Sequence, residues 1–459
     1  MLTKAVADYI CTALEKAPPD AAREAGVAHL LDTVASMVAG SQMPVGPLAK
    51  AFVQQMGGRA EATVVGSPDV TTTIYAALAN GIMAHADETD DSHAPSLTHP
   101  GCSIVPAALA VAEKYHRSGR DLLRAVVLGY DVGTRLALSL GGGTFLDHYD
   151  HSSHAFGGTF GSCAAGAALA GFDVRRTEYA LAYAVQLVSG IPCWLRDPDH
   201  MEKAFLFGGM PAQSGVQAVA MAAAGFTGSA EPLEGKPGLF SAFPDKADPR
   251  RLTDELGVRF EVTRTTIKKW STGSPIQSAL DSLLALIREL KIAAADVERI
   301  HVVLPPRRAI AVDDRAMPAV NLQYQLSLLL IDGDVTFASG HDEHRMRHDP
   351  HVAALRKRIT IEADPQAPEG GQAHLTVTLR DGRRLEKHTP FVRGTPGNPM
   401  PLDEIVTKAR GIMQPVQGAG AEELISALLA IESLPDVAAL RPLLQHGPPQ
   451  GSPHGSPHG

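Results

Sequence analysis

A large helical domain interrupted by a smaller α+β domain is the architecture this sequence predicts, and three observations carry it. Apolar residues recur at helical spacing through most of residues 1–261, and again from residue 402 onward. Between these stretches, over residues 262–401, short β-rich runs and a hairpin turn alternate with helical segments. Ala and Gly are abundant while aromatic residues make up only 5%, which suits helices packed closely through small side chains.

Each element follows from its own pattern. Val27, Leu30, Leu31, Val34 and Val38 share one face of residues 21–38, and Gly40 supplies a stop. Ile74, Ala77, Leu78 and Ile82 are in phase over residues 71–86. Residues 158–171 and 211–225 hold so little side-chain bulk that they predict helices buried among other helices. Further on, residues 300–304 are β-rich and 373–379 alternate apolar and polar. An Asp381-Gly382 turn then leads into a second strand at 384–388. Helical stretches at 275–290 and 322–331 sit among them, and 402–445 return to helical patterning. This predicts a main domain of residues 1–261 and 402–445, with an α+β domain of 262–401 inserted. Residues 446–459, rich in Gly, Pro, Ser and His, predict a disordered tail.

Composition excludes several functions. A formal charge of -9 argues against nucleic-acid binding. The N-terminal segment lacks a signal-peptide core, and no apolar run reaches membrane-spanning length, so a cytoplasmic protein without membrane contact is expected. Cys11, Cys102, Cys163 and Cys193 are scattered with no C-x-x-C spacing. That predicts reduced thiols rather than an iron–sulfur or thiolate zinc site.

Chemistry is densest in HADETDDSHAPSLTHP, residues 85–100. If the preceding helix continues, His85, Glu88 and Ser92 share a face, and Asp87 and Asp91 share the next. Carboxylates beside imidazoles act as general acid and base once burial moves their pKa values towards neutrality; a solvated acidic helix end is the alternative. These residue types also bind metals. The spacing matches neither H-E-x-x-H nor an EF-hand loop, so no metal is expected. A second segment carries His148, His151 and His154, then Gly157-Gly158-Thr159. Such a turn, opening a helix, would offer free amides to a carboxylate; tight helix packing beside surface histidines is the plainer reading. Lys203 and Lys268 form a cationic set, suited to a carboxylate or an enolate oxygen unless each is an ordinary surface lysine.

In this order and spacing, the segments resemble the MmgE/PrpD family of lyases and isomerases over roughly residues 5–440. The resemblance rests on Asn80-Gly81, Ala84-His85, Glu88, Asp90-Asp91-Ser92-His93 and His99-Pro100. To these it adds Gly158-Thr159-Phe160-Gly161, Lys203, Lys268-x-Trp270, and Asn321 to Gly333 with Tyr324. It implies a helical main domain, an α+β lid, a homodimer, an active site between domains, and catalysis without a cofactor. Position by position it marks Glu88, Ser92, His99, Lys203, Lys268 and Tyr324. Glu88 stands where relatives carry Asp, and Ser92 where Thr is usual. His151-Ser-Ser-His154 replaces a His-Pro-x-x pattern, so either histidine can fill that role. Trp270-Ser-Thr-Gly273 replaces a Tyr-Pro segment followed by Cys or His, so that acid or base is missing.

The expected function is a cofactor-independent lyase, a hydro-lyase or decarboxylase, that abstracts a proton next to a carboxylate of a small di- or tricarboxylate. An epimerase or isomerase is the alternative within the family; a metal-dependent hydrolase or transferase, or an inactive scaffold, lies outside it. Expected roles are His99 or His154 as base, with His151 in contention, and Glu88 as proton donor or orienting group beside Asp91. Lys203 and Lys268 would hold carboxylates, with Gly158 and Thr159 as further binding positions, and Tyr324 and Ser92 would hydrogen-bond the substrate.

Overall fold

The computed structural model describes residues 1–367 and 372–445, and the tail expected to be disordered lies outside them. As the patterning predicts, the chain is mainly helical with a smaller α/β part. Helix α1 (Asp20–Gly40) is buried on every side from Gly26 onward. It is therefore a central helix rather than the one-faced surface helix its spacing suggests. Helix α2 (Thr73–Ala84) starts at Thr72, whose hydroxyl accepts the Tyr75 amide. It packs on α1 and on α3 (Gly101–Lys114).

Helices α4 (Gly119–Ser139) and α5 (Ser153–Leu169) meet through glycines: a Cβ on Gly133 would stand 2.4 Å from the Gly157 carbonyl oxygen. Helix α6 (Met210–Ala223) packs on α5. These are the small-residue contacts predicted for 158–171 and 211–225. The first of the two helices, however, starts at Ser153, so Gly157-Gly158-Thr159 lies inside it.

The α/β part has its own apolar core. Strands β1 (Val297–Leu304), β2 (Ile359–Ala363), β3 (His374–Leu379) and β4 (Arg384–His388) line up as β2-β1-β3-β4. The β1–β2 pair is parallel and the other two are antiparallel. The β3–β4 turn places Gly382 at φ +86°, where an L side chain would be strained. Helix α7 (Ser274–Leu290) packs on β3, β4 and α8 (Leu322–Asp332). Helix α8 runs from an Asn321 cap to Gly333 at φ +76°. The late helix α9 (Leu402–Gln417) returns to α1, and its Ile405, Ala409 and Ile412 share a core with Leu30, Leu31 and Val34. No helix among the described residues is long and apolar enough to cross a membrane.

One backbone contact aims the site. A five-residue π-helical segment, Phe205–Gly209, joins a short helix (Met201–Ala204) to α6 and lies against the end of α2. A Cβ on Gly208 would stand 2.0 Å from the Gly81 carbonyl oxygen, and one on Gly81 would stand 2.5 Å from that of Gly208. Only two glycines permit this approach, which lays Phe207 on His85. Gly208→Ala should therefore cost about 1–3 kcal/mol, the usual penalty of overpacking. Gly411→Ala, in α9 with open space around it, should be neutral or stabilise by up to about 1 kcal/mol. Denaturant unfolding of the two variants checks the contrast.

Candidate active site

Helix α2 ends at Ala84, with His85 as its cap at φ -117° and ψ 30°. Residues 86–100 form no α-helix, so the predicted sharing of helix faces does not occur. The loop instead folds on itself. The Asp87 carboxylate accepts the amide and hydroxyl of Thr89 at 2.8 and 2.6 Å, and His93 and Thr98 pair through their backbones. Ser92 exchanges backbone hydrogen bonds with Thr266 at 3.0 and 2.8 Å. That bridge delivers Lys268, two residues further on, to the loop.

Two groups result. In the first, Asp90 Oδ2 faces Nδ1 of His85 at 2.9 Å and Nδ1 of His99 at 3.1 Å. With Nδ1–H donating to the carboxylate, His99 keeps its Nε2 lone pair free. His154 stacks on Phe207 with ring centroids 3.7 Å apart and lies 5.4 Å from the His99 ring. In the second group, Glu88 Oε1 is in direct contact with Lys203 Nζ, and Oε2 lies 3.5 Å from Lys268 Nζ. Lys268 also donates to the Glu88 carbonyl at 2.7 Å and lies 3.8 Å from Asp90 Oδ1, joining the two groups. His200 Nε2 faces the Asp87 carbonyl at 3.2 Å and Glu88 Oε1 at 3.9 Å.

Charge and burial set the protonation states. Burial opposes ionisation of Glu88 and Asp90, yet both carboxyls are held well below the usual range. Lys203 and Lys268 act on Glu88, and His85, His99 and Lys268 act on Asp90. The histidines move the other way. Burial lowers His99, and Asp90 only partly offsets it. Burial with neighbouring His99, His85 and Lys203 lowers His154 well below its ordinary value, and burial with Lys203 brings His200 down to about 3. At neutral pH His99, His154 and His200 are therefore uncharged beside two ammonium groups.

Comparison with known proteins identifies the family. The MmgE/PrpD N-terminal domain matches residues 4–252 and the MmgE/PrpD C-terminal domain matches residues 270–431. The chain belongs to the MmgE/PrpD family. Human cis-aconitate decarboxylase is 26% identical to this MmgE/PrpD protein, over 91% of the present chain and 89% of its own. A cis-aconitate decarboxylase-like protein of Aspergillus oryzae is 24% identical over 90% and 91%. A 2-methylcitrate dehydratase-like protein of that fungus is 34% identical over 19% of the present chain and 20% of its own. The names of these relatives indicate a lyase.

The structure of this MmgE/PrpD chain brings together His99, His154, Glu88, Lys203 and Lys268, and separates the other predicted positions from them. His151 bonds the Tyr149 carbonyl at 2.7 Å and packs with Phe145, Phe156 and Phe243, so His154 is the histidine beside His99. Asp91 turns inward, accepting from His29 at 2.6 Å, Tyr130 at 2.5 Å and the Gly101 amide at 3.0 Å; it anchors the start of α3. Ser92 contributes its backbone. Gly158 and Thr159 are packing positions within α5: a Cβ on Gly158 would meet Ser103 Oγ at 2.6 Å, and Thr159 is fully buried. Tyr324 lies in the α/β core, its hydroxyl 2.7 Å from the Ser339 carbonyl oxygen. Sequence reasoning missed His200 and His341. The first stands three residues before Lys203, which was its one available signal. Of the cysteines, Cys102 and Cys163 are buried, Cys11 and Cys193 are half-buried, and all four are free thiols.

Two groups of metal-ligand type, His85/Asp90/His99 and His85/Glu88/His200, gather within 4.8 Å. The donor chemistry fits a metal poorly. Glu88 is already held by two ammonium groups and Asp90 by two imidazoles, and a divalent cation would meet the lysine charge at contact range.

His341 joins the α/β part to the loop. Its Nδ1 donates to the Phe337 carbonyl at 2.8 Å, and its Nε2 lies 2.7 Å from Asp87 Oδ2. The Asp87 carboxylate beside Nε2 and the Phe337 carbonyl at Nδ1 both favour the protonated ring. Although burial lowers its pKa, the Asp87 partner raises it above the ordinary 6.5, and the Asp87 carboxyl is correspondingly held down. A raised folded-state pKa contributes stability that is complete below about pH 6.5 and fades as pH climbs through the folded value. His341→Ala should thus destabilise by about 3–5 kcal/mol at pH 6, the cost of stranding a buried charge. The loss should be smaller at pH 9, and urea unfolding at the two pH values measures the difference.

Proposed function

We propose that this chain is a cofactor-independent lyase that releases carbon dioxide from a small di- or tricarboxylate, moving a proton next to a carboxylate as it does so. The observation that supports this most directly is the neutral His99 imidazole, backed by Asp90 through Nδ1, with its Nε2 lone pair free and the Lys268 charge acting on the ring. A carbon acid next to a carboxylate ionises only if a base takes its proton and cations meet the charge that develops on oxygen. His99 is the base. Lys203 and Lys268 supply the positive charge that another enzyme would draw from a metal. His154, neutral and stacked on Phe207, bounds the same space. Full-length similarity to proteins named cis-aconitate decarboxylase favours decarboxylation over dehydration.

Unsaturated and hydroxylated di- and tricarboxylates, assayed for carbon dioxide release and absorbance change, test the reading. A panel without turnover removes it. His99→Gln, folded by circular dichroism, should lose about 10²–10⁴-fold in kcat. Because the His99 pKa is lowered, the acid limb of kcat/KM in the wild type should fall below pH 6.5. Treatment with EDTA followed by desalting should leave activity intact, and restoration only by a divalent ion would overturn cofactor independence.

A further inference from the structure

Glu88 occupies the place a substrate carboxylate needs. One oxygen contacts Lys203, the other lies 3.5 Å from Lys268, and the carboxylate is buried. The neighbouring carboxylates are held differently: Asp90 by His85 and His99, Asp87 by His341 and Thr89. Glu88 alone of the three lies against both lysines, while Asp90 reaches Lys268 only at 3.8 Å. Lys268 is 1% exposed and Lys203 side chain 19% exposed, so an arriving anion meets the pair from the Lys203 side. The four charged groups here, Lys203, Lys268, Glu88 and Asp90, already cancel. A second buried carboxylate therefore cannot enter without either a proton or the departure of Glu88.

We propose that a substrate carboxylate displaces Glu88 from Lys203 and Lys268, and that Glu88, still buried but deprived of its cations, takes up one proton from solvent. That proton then goes to the carbon carbon dioxide leaves. The inference rests on the decarboxylase reading. The balance is R–CO₂⁻ + H⁺ → R–H + CO₂. The C–C bond breaks and leaves its electron pair on R, the Glu88 O–H bond breaks, and the new C–H bond forms. Glu88 returns ionised to the lysines as product leaves. A proton that His99 takes from carbon and gives back adds nothing to this count, so the net proton must enter by another group. The groups facing Glu88 support the shift. Burial opposes its ionised form, Lys203 and Lys268 favour it, and His200 and His85 add to that only when protonated. Pairing the lysines elsewhere leaves burial in control, with His200 uncharged.

Propane-1,2,3-tricarboxylate and succinate, saturated acids without a double bond or hydroxyl, are the probes. Calorimetric titration at pH 7 in buffers of different ionisation enthalpy should show about one proton taken up per site by the wild type and none by Glu88→Gln. Difference infrared spectra should show a protonated-carboxyl band on binding that the variant lacks. Binding without proton uptake, or uptake and band persisting in Glu88→Gln, overturns the exchange while leaving the carboxylate-lyase reading in place. If neither probe binds the wild type, the carboxylate reading itself falls and the exchange falls with it.

Discussion

Two lysine ammonium groups packed around one buried glutamate carboxylate govern the surroundings of the site. Charges removed from water are tolerated only with partners at close range, and Lys203, Lys268 and Glu88 satisfy one another at 3.5 Å or less. The lysines also reinforce what burial does to nearby imidazoles. Positive charge beside His99, His154 and His200 adds to burial in keeping them unprotonated. Basic histidines at neutral pH are thus a consequence of burial reinforced by the lysines, which Asp90 tempers at His99 and His154.

This arrangement requires three distant segments to meet: residues 85–100, 200–207 and 266–268. An uninterrupted helix through residues 85–100 could not serve, because Asp90 and Asp91 must point in opposite directions. Asp90 turns to the imidazoles while Asp91 turns to His29, Tyr130 and the first amide of α3. Extended backbone at Ser92, paired with Thr266, makes that alternation natural. The Gly81–Gly208 approach supplies the other side, and neither segment could come as close if either residue carried a Cβ.

The helices were legible because their signal is local. Apolar phase predicted α1, α2, α7, α8 and α9 to within a few residues at most ends, and the Asp-Gly turn announced the β3–β4 hairpin. Strand β2 was not legible: RITIEA is short, charged at its edges, and pairs with residues 59 positions earlier. Within the site, residue types were legible and their grouping was not. The His85–Pro100 segment announced chemistry by composition, but helical spacing assigned the wrong neighbours because a loop, not a helix, arranges them. His200 stands alone in a polar stretch and His341 is one of four histidines in another, and no spacing rule links either to a loop more than 100 residues away.

Tyr324 shows how a position can matter to a site without lying in it. Burial and nearby Asp342 raise its pKa, so the phenol stays a neutral donor. Its hydroxyl lies 2.7 Å from the Ser339 carbonyl and 3.1 Å from that of Asp342, bracketing His341. His341 in turn holds Asp87, and Asp87 begins the Asp87–Asp90 stretch that carries Glu88 to the lysines and Asp90 to His99. The path from the α/β core to the proton-moving groups therefore runs through one backbone turn and one imidazolium–carboxylate pair. Removing the phenol hydroxyl would loosen the turn while leaving every group in the His99 and Lys203 clusters chemically intact, and that separates a positioning role from a proton-transfer role at this residue.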